Sequence, residues 1–115
     1  MSVLGFNGAF EKQPSEQITV KASFNDVADS LVVAGYGLNN CTVTVYDFAG
    51  ADKSSNMISG NATVDSNNSA VLVTIKAGSD GQNYYARFLS TWSMNGEPNQ
   101  VIERDLQIQV REKGK

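Results

Sequence analysis

Apolar residues recur at every second position along most of the chain, a period that turns one face of each segment to a core and the other to water. Ile18, Val20, Ala22 and Phe24 alternate with Thr19, Lys21 and Ser23, and Asn25-Asp26 follows with turn chemistry. Leu31 and Val33 begin a short second run. Beyond Gly35, Gly37 and Asn39-Asn40, Cys41, Val43 and Val45 alternate with Thr42 and Thr44 in a stretch rich in β-branched residues. Ile58, Ala62 and Val64 lead through Ser66-Asn67-Asn68-Ser69 to Val71, Val73 and Ile75, the pattern of a hairpin. Tyr84, Ala86, Phe88, Ser90 and Trp92 share one face of a long strand, with Tyr85, Arg87, Leu89 and Thr91 on the other. Asn95-Gly96 turns the chain into a last strand with Ile102, Leu106, Ile108 and Val110 inward.

These runs predict seven strands, with an eighth from Phe10 to Pro14 that its proline confines to a sheet edge. The only helical candidate is one turn over Asn25 to Ser30. Short strands separated by turns predict an all-β fold: an immunoglobulin-like antiparallel two-sheet sandwich of seven to eight strands, with a small barrel as alternative. Val20, Phe24, Val43, Val73, Phe88, Ile108 and Trp92 are the expected core. A single domain over residues 10–112 follows, with 1–9 as an extension and 113–115 as a tail, and the basic end Arg111-Glu-Lys-Gly-Lys115 is expected to fray. Asp80-Gly81-Gln82-Asn83-Tyr84 enters the penultimate strand where such sandwiches carry a tyrosine that bonds back to the preceding corner. Tyr84 and Tyr85 compete for that role, and the inward parity of Tyr84 favours it. Asp47 to Asn56 has no period and little apolar surface, so a mobile loop is expected there, anchored on the core by Phe48 alone.

Composition narrows the chemistry. The chain has 115 residues, 41% hydrophobic and 18% charged, enough for one packed domain of the usual ~100–150 residues. Its net charge of −3 disfavours a general nucleic-acid or anionic-membrane surface. Histidine is absent, which removes the commonest general base, the usual zinc ligand and every Ser/His or Cys/His pair. Cys41 is the sole cysteine, so an intrachain disulfide and a cysteine metal cluster are excluded, and its apolar parity predicts an inert buried thiol. The first ten residues lack a secretory signal pattern, and no apolar run reaches the ~20 residues of a spanning helix. A protein made in a cytoplasm is the expectation.

What remains is carboxylates and aromatics. Asp26, Asp29, Asp47, Asp52, Asp65 and Asp80 lack calcium-loop spacing and read as turn formers, so neither a metal nor a cofactor is expected. The aromatic-rich outward positions Tyr46, Tyr85, Arg87 and Leu89 are unusual for a solvated strand face and form the candidate interaction surface. A non-enzymatic role is expected. Glu11, Lys12 and Pro14 are read as guards of the first edge, and the Gln/Ile/Val alternation near Val110 as weaker protection, which predicts a monomer or weak oligomer in isolation.

Phe10-Glu-Lys-Gln-Pro14-Ser-Glu16, the Asp80-Gly81-Gln-Asn-Tyr84 corner and the ending Leu106-Gln-Ile108-Gln-Val110-Arg-Glu112 resemble short immunoglobulin-like virion structural or fibre-tail adaptor proteins of tailed bacteriophages and prophages. Relative to that pattern, Asp47 to Asn56 and Asn95 to Gln100 are insertions. The resemblance implies no catalytic residues. It implies a virion location and a role in assembly or decoration through contacts with other virion proteins. An adhesive or carbohydrate-binding accessory module is the alternative.

Overall fold

A computed structural model of the chain describes residues 3–4, 9–24 and 30–112. Among the described residues, eight strands form two four-stranded sheets that enclose the core as a β-sandwich. The strands are β1 (Val3–Leu4), β2 (Ala9–Lys12), β3 (Ile18–Ser23), β4 (Gly37–Asp47), β5 (Ile58–Asp65), β6 (Ala70–Ile75), β7 (Asn83–Ser93) and β8 (Gln100–Val110). One sheet runs β1-β3-β6-β5 and the other β2-β8-β7-β4. The pairings β3–β6, β5–β6, β4–β7 and β7–β8 are antiparallel, as expected of such a sandwich. The two N-terminal strands pair differently: β1 on β3 and β2 on β8 are parallel.

Parity governs what is buried. Along β7 every second residue from Tyr84 to Trp92 is buried, and Leu106, Ile108 and Val110 of β8 meet Ala86, Tyr84 and the corner below them. Phe24 and Trp92 close the centre edge-to-face, with ring centroids 6.1 Å apart and planes at 80°. The indole would leave a polar atom stranded there, so Trp92 Nε1 donates to Ser90 Oγ, which donates in turn to the Ile102 carbonyl. Of the expected core, Val43 alone is half-buried, because β4 is the outer strand of its sheet.

Several expectations are corrected. Leu31 and Val33 belong to a helical turn over residues 30–33 rather than a strand, and Val33 is 89% exposed. The helical turn expected over Asn25 to Ser30 lies, except for Ser30, outside the described residues. Val3 and Leu4, read as part of an extension, form β1. Lys12 is no surface guard. It shares the inward face of β2 with Phe10, is only 2% exposed, and donates from Nζ to the carbonyls of Gln13, Pro14 and Ala77. Burial lowers its pKa, and the Glu16 carboxylate opposes that shift. Arg111 and Glu112 are not frayed: Arg111 bonds the Gln82 carbonyl and Asn83 Oδ1, and the Glu112 amide donates to Asp80 Oδ1. Residues 113–115 lie outside the described residues.

The segment after β4 differs most from its reading. Asp47 Oδ1 accepts from the amides of Ala49 and Ala51, at 3.0 and 2.9 Å, and Asp52 Oδ1 accepts from the Ser54 amide at 2.8 Å. The bond from the Ser54 amide holds the Asp52 carboxyl below its usual pKa. A helical turn, α1 (Ser54–Met57), then drops Met57 into the core at 2% exposure. Lys53 N–H and Ser54 Oγ take up the carbonyl and amide of Val45, so the segment is stitched to the β4 edge. The anchor is Met57, and Phe48 is 63% exposed.

Candidate functional site

Tyr46, Tyr85 and Arg87 meet on the outer face of the second sheet. The register pairs Tyr46 with Tyr85 across β4 and β7, and their rings stack with centroids 5.3 Å apart. Arg87, two residues along β7, lays its guanidinium 5.5 Å from the Tyr46 centroid and 5.4 Å from that of Tyr85. Its Nε lies 3.2 Å from Asp105 Oδ1 and 3.6 Å from Glu103 Oε1 on the adjacent β8. The hydrogen bond to Asp105, reinforced by the charges of Asp105 and Glu103, raises the guanidinium pKa further. Exposed pairs of this kind add little to stability, but they fix where the arginine lies.

Leu89 faces the same way, one more strand step from the rings, and is 42% exposed. It belongs to the face but extends it away from the aromatic cluster. Two further residues complete the surface, Phe48, expected as a core anchor, and Val101, expected nowhere. Phe48 leans on Tyr85 with centroids 6.3 Å apart, and Val101 of β8 stands outward at 59% exposure opposite Thr91. Val101 was accessible by counting parity back from Ile102. Phe48 was not, because it follows the strand end, where alternation no longer says which way a side chain points.

The corner residues are assembled on the opposite side of β7. Tyr84 points inward and its hydroxyl accepts from the Ser79 amide at 3.1 Å. Gly81 takes φ +82°, a conformation that favours glycine, and its amide donates to the Val110 carbonyl at 2.9 Å. With Asp80 on the Glu112 amide, the corner ties β7 to the end of β8. Tyr85 takes no part in it. A shallow cleft of about 210 Å³ connects corner and patch, lined by Asp47, Phe48, Ala49, Gly81, Gln82 and Asn83.

Cys41 is buried between β4 and β5, and burial pushes its thiol up to about 12, which leaves it protonated at neutral pH. Among the described residues no three Asp, Glu or Cys side chains cluster as metal ligands, and no helix is long and apolar enough to cross a membrane. Neither the protein-family models nor the curated proteins contain a match to this chain.

Proposed function

We propose that the protein is a non-enzymatic immunoglobulin-type module of a phage or prophage particle, held in place by protein–protein contacts. The immunoglobulin reading is supported by strand order. The sheets β1-β3-β6-β5 and β8-β7-β4 follow the order of a seven-stranded constant-type sandwich, with β2 added beyond the last strand. Tyr84, at the start of the sixth strand of that scheme and bonded back to Ser79, supports it further.

The observation that carries the function is the outer face of the second sheet. Phe48, Leu89 and Val101 leave large apolar side chains in water, and between them lie two stacked tyrosines and an arginine already oriented by carboxylates. Aromatic residues and arginine are the types enriched at the centres of protein interfaces, because they bury much area for few rotatable bonds. A solvated strand face gains nothing from such residues. A second reading, a saccharide subsite, draws on the cleft beside Phe48, where an exposed ring adjoins the carboxylate of Asp47 and the amides of Gln82 and Asn83.

Position and presence test the first reading together. A coding region among head and tail genes, and recovery of the protein at fixed stoichiometry in purified particles, are the expected results. A neighbourhood of secreted polysaccharide enzymes, with the protein missing from particles and oligosaccharides perturbing the Phe48 and Asn83 resonances, would replace it with the second.

A further inference from the structure

We propose that β2 is an exchangeable strand, so that Ala9–Lys12 of one copy can occupy the β8 edge of a second copy of this chain. The four described sheet edges are not alike. The β4 edge is occupied: the Tyr46–Asp52 bridge, Lys53 N–H and Ser54 Oγ take its backbone groups near Val45, and Asn40 Oδ1 accepts from the Cys41 amide. The β5 edge is distorted where its register with β6 breaks between Ser59 and Thr63, around Gly60 at φ +74°. The β3 edge carries the two residues of β1. The β8 edge from Gln107 to Val110 is an ordinary strand edge, covered by a four-residue parallel strand from almost a hundred positions earlier in the chain.

The described contacts of β2 with β8, Arg111 and Ala77 are of the kind a second copy reproduces. Ala9, Phe10, Glu11 and Lys12 pair in register with Gln107, Ile108, Gln109 and Val110, and the Arg111 amide donates to the Lys12 carbonyl at 2.9 Å. The Lys12 ammonium holds the carbonyls of Gln13 and Pro14, which move with the strand, and reaches across to that of Ala77, which does not. The following turn has hydrogen bonds of its own, with the Glu16 amide on the Gln13 carbonyl and the Gln13 amide on Glu16 Oε1. It too can travel intact. Gln17, exposed between that turn and β3, is then the hinge. The β8 ladder, the Arg111–Lys12 bond and the Lys12–Ala77 bond lost in cis are regained in trans, so the balance turns on concentration. A short tether gives the chain's own strand an effective concentration of about millimolar, which favours the closed monomer in dilute solution and exchange where copies are crowded. Lys12 sets the specificity, since a foreign strand without an inward ammonium would leave the Ala77 carbonyl without that partner.

Cysteine pairing reads this directly. Glu11 and Gln109 are register partners on the outer face, and the native Cys41 is buried and protonated. A Glu11→Cys chain and a size-tagged Gln109→Cys chain, unfolded, mixed and refolded together under mild oxidation, will give a disulfide-linked heterodimer whose yield rises with protein concentration. That yield will exceed several-fold the yield of the off-register mixture of Glu11→Cys with Gln107→Cys. Ala9→Cys with Gln107→Cys repeats the in-register test at the other end of the strand, and circular dichroism of each chain verifies folding. Equal yields in and out of register, or no heterodimer up to about millimolar protein, would overturn the proposal. Either result leaves the particle assignment open to its own test, because that test reads location rather than pairing.

Discussion

Single residues carry more of this fold than their positions in the alternation suggest. Tyr84 has inward parity, which the sequence displays, but its hydroxyl also serves the Ser79 amide, and that depends on a corner only the folded chain assembles. Tyr84→Phe keeps the ring and removes one hydrogen bond at an exposed corner, so a loss of ~0.5–1.5 kcal/mol in denaturant unfolding is expected, with the fold retained. Gly78 is a similar case. Its φ of +92° favours glycine, and an added Cβ would sit 2.7 Å from Val110 Cγ2 and 3.2 Å from Met57 Cε. Gly78→Ala should therefore lower stability by ~1–3 kcal/mol, measured by thermal melting against wild type. Cys41 adds a pH dependence. Its folded pKa, about 12, lies above the ordinary 9.0, so in that window the unfolded chain loses its proton while the folded chain keeps it. Stability contributed by this group is complete below pH 9 and is lost as pH rises toward 12. Wild type should lose stability relative to Cys41→Ala across that range, and parallel curves would show that the thiol is not desolvated as described.

Elements differ in how much the sequence discloses of them. β3, β6, β7 and β8 are legible because each has one face in the core and one in water, so the period of two survives along its length. Residues 30–33 misled because three positions cannot separate alternation from chance, and Val32 and Val33 stay largely in solvent. The parallel pairings of β1 and β2 leave no mark in the pattern, since period two is the same for either direction. The segment after β4 was opaque for another reason. Its order comes from side chain to backbone bonds of Asp47, Asp52 and Ser54 and from one buried methionine, none of which repeats. Amide exchange can check this: the Val45, Ala51 and Lys53 amides should be protected well above those of an open loop. Met57→Ala should cost ~2–5 kcal/mol and release that protection.

At the scale of the whole molecule, the candidate site divides into a legible part and a hidden one. Tyr46, Tyr85, Arg87 and Leu89 were accessible from parity alone. Their arrangement was not, because it depends on the cross-strand register that stacks Tyr46 on Tyr85 and sets Asp105 beside Arg87. Nor does parity reveal that Phe48 joins them. In the proposed role this face holds the protein in a particle, and Leu89→Lys tests that role with little risk to the fold. Leu89 is 42% exposed and stands opposite Glu103, so a lysine there adds charge to the patch without a like-charged partner across the strands. The decisive measurement is the number of copies retained per purified particle, wild type against Leu89→Lys, with both proteins shown to be folded. The account predicts a fixed wild-type stoichiometry and a several-fold loss in the variant. Equal retention of the two proteins, or no wild-type protein in the particles, would contradict it.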